Sequence, residues 1–135
     1  MADNGCNMRM LQEACGIEAA RVEAAAIISG EDIVLVIGGG TKHHIGAVSL
    51  ALPRPSLADP AKVSASASVL CVTGHKEDEL ARSAALAMAT ALNRTVTVVA
   101  GIHIDKASAA DIHELNANCD VVIKTLIRRI QALAL

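Results

Sequence analysis

The sequence predicts an α+β domain in which a mixed β-sheet, in β-β-β-β-α-β-α order, carries two helices on one face. Three observations lead there. Short runs of β-branched residues lie between glycine-rich turns, as in residues 33–37 (IVLVI) and 95–100 (TVTVVA). Residues 77–92 and 108–133 instead repeat their apolar side chains at intervals of three and four, the period of a helix packed on one side. The length of 135 residues suits one core and leaves little for a second.

Residues 1–16 have no clear period, so a flexible N-terminus is expected, with a single domain spanning 17–135. Residues 17–29 admit a helix by composition, yet Ala20, Val22, Ala24 and Ala26 also alternate with Arg21 and Glu23 opposite. The strand reading is preferred because Ser29-Gly30-Glu31-Asp32 then makes a hairpin turn into 33–37. Gly38-Gly39-Gly40 is expected to break that strand as a tight turn or bulge, and residues 45–52 resume an extended pattern. All three prolines, Pro53, Pro55 and Pro60, place a loop at 53–60. Residues 65–72 form a strand that stops at Thr73-Gly74. The helix over 77–92 carries a stripe of Leu80, Ala84, Met88 and either Ala91 or Leu92, and Asn93 ends it. Ser108 and Asp111 have capping-box spacing ahead of a longer stripe that includes Leu115, Cys119, Val122, Leu126 and Ile130, with Ile112 and Leu133 at its ends.

The β-α-β unit within 65–101 implies two parallel strands with a right-handed crossover, and the earlier, turn-linked strands should be antiparallel. Two helices on one face leave the other face of the sheet without cover. A homodimer or higher homo-oligomer is therefore expected.

Composition excludes several classes. The formal charge is −2 with both signs scattered, which gives no electrostatic footprint for nucleic acid. Phe, Tyr and Trp are absent, so no stacking platform for single strands exists. No window approaches the roughly 18 apolar residues of a membrane span, and residues 1–16 lack the apolar core of a signal peptide. A cytoplasmic protein is expected. The four cysteines, Cys6, Cys15, Cys71 and Cys119, form no C-x-x-C pair, and Cys71 and Cys119 are expected to be buried thiols within apolar runs.

Three polar clusters sit at strand ends. They are 38–46 (GGGTKHHIG), 73–78 (TGHKED) and 101–105 (GIHID), and they hold four of the five histidines. His113 lies apart, as a solvated surface residue. The glycine triplet has neither G-x-G-x-x-G spacing nor a following helix, so a dinucleotide fingerprint fails. Gly74-His75-Lys76 opens a helix where free N–H groups can receive an anion, although Glu77, Asp78 and Glu79 already complement that dipole. His44, His75, His103 and Asp105 could supply metal ligands, but without any local ligand spacing. His103 and Asp105, or His75 and Glu77, could serve acid–base chemistry, but no matched nucleophile accompanies them. The plain alternative is that these groups fix the loops by hydrogen bonds.

Taken in order, His44-Ile45-Gly46-Ala47-Val48, Gly74-His75-Lys76-Glu77-Asp78-Glu79 and Gly101-Ile102-His103-Ile104-Asp105 resemble the motifs of the LpdD-like prenylated-flavin chaperones, over roughly residues 20–130. The resemblance implies a fold related to the proteasome-assembly chaperones. It further implies a non-catalytic accessory subunit that helps deliver or mature prenylated FMN for a UbiD-type decarboxylase, binding that cofactor transiently and needing no metal. The positions it carries over are His44, Gly46, Gly74, His75, Lys76, Glu77, Asp78, Gly101, His103 and Asp105. With no aromatic side chain, contacts to an isoalloxazine ring fall to aliphatic groups, histidine, backbone or the partner. The alternatives are an assembly protein that binds no small molecule and a small metal-dependent enzyme.

Overall fold

The computed structural model describes residues 5, 7–72 and 77–133 of the chain. Six strands and two long helices follow one another: β1 (Met8–Cys15), β2 (Val22–Ser29), β3 (Asp32–Gly40), β4 (Ala47–Pro55), β5 (Val63–Cys71), α1 (Asp78–Leu92), β6 (Val96–His103) and α2 (Ala109–Gln131). The strands form one mixed sheet in the order β1-β2-β3-β6-β4-β5. Helix α1 packs on β4, β5 and β6, α2 packs on β1, β2 and β3, and the helices touch each other on that same face. This is the expected α+β class, with the helices on one side.

Local sequence explains the elements. Gly30 takes φ 63° at the first central position of the β2–β3 hairpin, whose ends Ser29 and Asp32 pair directly. Ser108 caps α2 by accepting from the Asp111 N–H, and the Asp111 carboxylate accepts in return from the Ser108 N–H, a closed capping box. Asn93 ends α1 in the left-handed conformation, with φ 53°.

Several expectations are corrected. Met8–Cys15, expected to be flexible, is a strand paired along its whole length with β2. Long-range side-chain bonds hold it. Arg129 donates to the Gln12 carbonyl at 2.7 Å and to the Glu13 carboxylate at 2.9 Å, and the Cys15 thiol donates to the Asn118 side-chain oxygen at 3.4 Å. None of these partners is near in sequence, so local pattern could not reveal them.

The glycine triplet does not break its strand. β3 continues through Gly39, and Gly40 pairs with His103. The prolines do not make one loop either, since Pro53 and Pro55 lie in β4 opposite Ala65 and Val63. Ser56 N–H donates to the Lys62 carbonyl, so strand alternation points the Pro53 and Pro55 nitrogens to the opposite edge. Pairing with β6 has already ended there, at Ala51, and no donor is missed. The β5–α1–β6 unit does hold parallel strands, but β4 lies between them, antiparallel to both. Cys119 is buried, whereas Cys71 is exposed. Ile112, expected in the buried stripe, is half exposed.

One cluster forms the core. Val22, Ala24, Ala26 and Ile28 of β2 and Ile33, Leu35 and Ile37 of β3 face α2, which contributes Leu115, Val122, Leu126 and Ile130. On the α1 side both surfaces are small, with Ala81, Ala84, Ala85 and Ala89 against Ala47, Ser49 and Ala51. Alanine facing alanine lets helix and sheet approach closely without aromatic filling. Apart from the chain segment 41–46 over the ends of β3 and β6, the opposite face of the sheet has no covering element among the described residues. One cross-strand row there reads Gln12, Ala25, Val36, Val99, Val48 and Leu70.

Candidate functional site

The parallel strands β3 and β6 end side by side at Gly40 and His103, and the chain leaving β3 turns back over the open face as the segment 41–46. Thr41 anchors it, donating its N–H to the His103 carbonyl at 2.7 Å and its hydroxyl to the same oxygen at 3.2 Å. At the far end, Gly46 N–H donates to the Ala100 carbonyl at 2.9 Å.

Glycines make this approach possible. A Cβ on Gly101 would overlap the His44 carbonyl, one on Gly46 would overlap the Glu77 carboxylate, and one on Gly40 would overlap the His103 backbone. At Gly38 a Cβ would lie 2.7 Å from Nδ1 of His43. Gly38 and Gly101 pair with each other on the open face, so together they form the shallow floor on which 41–46 rests.

Side chains complete the arrangement. His44 Nε2 lies 2.8 Å from Oε1 of Glu77, and both side chains are largely buried. With a carboxylate facing it, Nε2 carries the proton. The pair ties the returning segment to the residue that precedes α1. His103 Nε2 lies 2.7 Å from Oδ1 of Asp105, on the exposed side. The two imidazoles meet edge to face with centroids 6.1 Å apart. His44, Gly46, Glu77, Gly101, His103 and Asp105 are thus brought together. Asp78 stands beside them as the exposed first residue of α1. Gly74, His75 and Lys76 lie outside the described residues, and with them the proposed anion contact. Gly46 and Gly101 act through close packing.

Beside this cluster the open face holds a cavity of about 580 Å³. Ala25, Val36 and Gly38 form its floor, Gln12 and Ala14 line its β1 side, and Arg21, Glu23, His43 and His44 supply further polar groups. Arg21 Nε donates to Glu23 at 2.9 Å. That hydrogen bond, with the nearby guanidinium charge, holds the Glu23 carboxyl below its ordinary range. Arg21 and the β1 lining escaped the sequence reading, which held His43 only as a member of the 38–46 cluster. The only signal was Gly38 in a strand, which marks close approach of something to the backbone.

Among the described residues no group of three or more His, Cys, Asp or Glu is placed to hold a metal ion. No helix among them is long and apolar enough to cross a membrane.

The family model of the prenylated flavin chaperone LpdD-like domain matches residues 16–131. The chain belongs to that family. The match runs from the residue after β1 to the last residue of α2, so it covers β2 to β6 and both helices and leaves out the first strand. Nothing among curated proteins matches. Among solved structures, a chain of a crystal structure described as a novel chaperone complex for yeast 20S proteasome assembly is similar. It has a TM-score of 0.56 and 16% identity, over 92% of this chain and 95% of that one. At that identity the likeness concerns the fold, and it agrees with the proteasome-assembly-chaperone-like architecture expected of an LpdD-like domain.

The cavity suits a prenylated flavin in part. Its volume lies in the usual range for small-molecule sites, and the aliphatic floor of Ala25 and Val36 suits a planar ring. His43 and His44 offer polar atoms at its rim, and Arg21 is its one lining cation among the described residues. Ring stacking on an aromatic side chain is impossible in this chain.

Proposed function

We propose that this chain is a non-catalytic accessory chaperone that holds prenylated FMN transiently and helps deliver or mature it for a UbiD-type decarboxylase, working in the cytoplasm as a homo-oligomer. The observation that carries the reading is the cavity on the open sheet face, whose rim shares His44 with the motif cluster. Membership of a prenylated flavin chaperone family supports it.

When bound, prenylated FMN supplies the chemistry of carboxyl addition or removal, and that chemistry belongs to the decarboxylase. This chain's residues bind and orient. Ala25 and Val36 would lie against the ring, and Arg21 would meet the phosphate. His44, fixed by Glu77, and His103, fixed by Asp105, would present polar edges. Shallow, aliphatic contacts favour release, which a delivery protein requires. The domain 17–135, with Lys76 and His75 in the segment before α1, would complete the anion contacts.

A second reading is an assembly chaperone without a small ligand, favoured by the uncovered apolar sheet face. Co-expression of a UbiD-type decarboxylase with and without this chain separates the two. The holo fraction is read from flavin absorbance, to which an aromatic-free chain adds nothing. Delivery predicts a clear rise with the chain present, lost on Arg21→Ala with the fold intact. An unchanged flavin content, with more assembled decarboxylase, would replace delivery by assembly.

A further inference from the structure

We infer that the outer edge of β5 receives an extended segment of another protein as a further strand of the sheet, with β-branched or aromatic side chains set beside Ala65, Ala67 and Val69. The inference rests on the chaperone reading only in that a second protein is engaged, and it involves no flavin.

Backbone direction is the first argument. At the two ends of the β4–β5 ladder, Ser56 N–H donates to the Lys62 carbonyl and Val72 N–H donates to the Gly46 carbonyl. Between those bonds the register runs from Ala47↔Cys71 to Pro55↔Val63 without a bulge. Even-numbered residues of β5 therefore turn their backbone groups towards β4, and Val63, Ala65, Ala67 and Val69 turn theirs outward. β5 is the last strand of the sheet, so among the described residues no strand meets them. At about 3.3 Å per residue this edge is roughly 20 Å long, the length of an ordinary strand.

Contrast with other edges is the second. Arg129 of α2 donates at 2.7 Å to the Gln12 carbonyl on the outer side of β1, and Arg9 and Glu13 put charges on that strand. Past Ala51, where pairing with β6 stops, β4 turns the nitrogens of Pro53 and Pro55 to its open side. Charged side chains and prolines keep foreign strands off an edge. From Val63 to Cys71, β5 has no charge, no proline and no bulge. The fold shuts two edges and leaves this one able to pair.

Side-chain size selects the occupant. Residues 64–68 read Ser-Ala-Ser-Ala-Ser. Ala65, Ala67 and Val69 are half-buried on the helix side, the last two opposite the buried Ala51 and Ser49. A second copy of β5, laid antiparallel about Ala67, would set alanine against alanine there, the reference pair to which larger pairs add stability. β-branched or aromatic residues gain more, because such small neighbours leave them room on a half-covered surface. Ser64, Ser66 and Ser68 line the other side and ask for neither bulk nor charge. The occupant is thus a segment of a different protein that alternates large apolar residues with polar ones. Main-chain hydrogen bonds supply the hold, and the alternate side chains supply the choice.

The probe is a capped peptide of alternating valine and threonine with a lysine at each end. Titrated into the isotope-labelled full chain, it should bind with a Kd on the order of 100 μM. The amides of Ala65, Ala67 and Val69 should then exchange with solvent at least tenfold more slowly, while those of Ser66 and Ser68, bonded to β4, are slow with or without peptide. Ala67→Pro removes an outward N–H alone and should weaken binding at least tenfold with an unchanged circular dichroism spectrum. Met10→Lys, on the open face at the far side of the sheet, should bind the peptide as the natural chain does. Should Ala67→Pro fail to fold, the exchange pattern of the natural chain decides by itself. No binding at about 1 mM, or binding that leaves the Ala67 amide unprotected, overturns the edge site. Loss of binding in Met10→Lys places the peptide on the open face and overturns it too. A mass by light scattering that falls on Ala67→Pro gives the edge to a second copy and overturns the occupant. None of these readouts contains flavin, so their failure is distinct from a failure of delivery.

Discussion

The two faces of the sheet are built from the same few residue types and have different fates. On one face Val22, Ala26, Leu35, Val98 and Ala100 are fully buried beneath α1 and α2. On the other, Val36, Leu50 and Leu70 stand open although they are of similar size. Burial of a large aliphatic side chain is worth about 1.5–3 kcal/mol. The helix-covered face collects that stabilisation within the chain, and the open face does not. Strands with apolar residues on both faces signal two covers, and the described residues supply a helical layer for only one of them.

The sharpest way to break the comparison is to truncate one leucine on each face. Leu126 is fully buried in α2 within the core cluster. Leu126→Ala should lower the free energy of unfolding by about 2–5 kcal/mol, read by urea denaturation. Leu70→Ala, measured at a dilution that favours monomers, should cost under about 0.5 kcal/mol. Similar losses at both positions would mean that the open face is covered within the chain after all.

A smaller effect is expected where the open face meets the site. Gly101→Ala places a methyl where the His44 carbonyl lies, so the segment 41–46 must lift or the strand ends must part. The expected loss is about 1–3 kcal/mol. The His44–Glu77 pairing should loosen as well, visible as a shifted His44 imidazole resonance. Ala25→Gly, on the same face away from that segment, should leave the resonance in place. If Gly101→Ala left both stability and the resonance unchanged, the close approach would not be what holds the site together.

How much was legible follows the same divide. The helices, the 29–32 hairpin and the class of the fold are written in local periods and caps, and they appear where expected. The convergence of His44, Glu77, His103 and Asp105 was legible only as three motifs at strand ends. Their meeting depends on β6 entering between β3 and β4, an order that no local pattern encodes. β1 was missed because its hold comes from Arg129 and Asn118, more than a hundred residues away in the case of each bond. The cavity was missed because its floor is alanine, valine and glycine, which read as plain strand. Pro53 and Pro55 misled because a proline in a strand is tolerated only where a neighbour has ended, and sequence does not say where neighbours end.

The mildest test uses two thiols, one exposed at the sheet edge and one buried beneath the helices. Burial pushes the Cys119 thiol up from its ordinary value of 9.0 to about 12, with the nearby Asp120 charge acting in the same direction. Cys71 is exposed on the edge strand β5. A thiol reagent at pH 8 should therefore modify Cys71 quickly and reach Cys119 only on unfolding, which peptide mapping by mass spectrometry would resolve. The same shift has a stability consequence. Below pH 9 the folded and unfolded chains both keep the Cys119 proton, and the group contributes no pH dependence. Above it the unfolded chain releases the proton while the folded chain retains it, so stability falls as pH rises from 9 towards 12, by at most about 1.4 kcal/mol per pH unit. Cys119→Ala should cost stability at every pH through the lost packing, yet show a shallower decline than the natural chain between pH 8 and pH 10. Parallel declines would mean that water reaches the thiol, and that the covered face of the sheet is less well sealed than its packing implies.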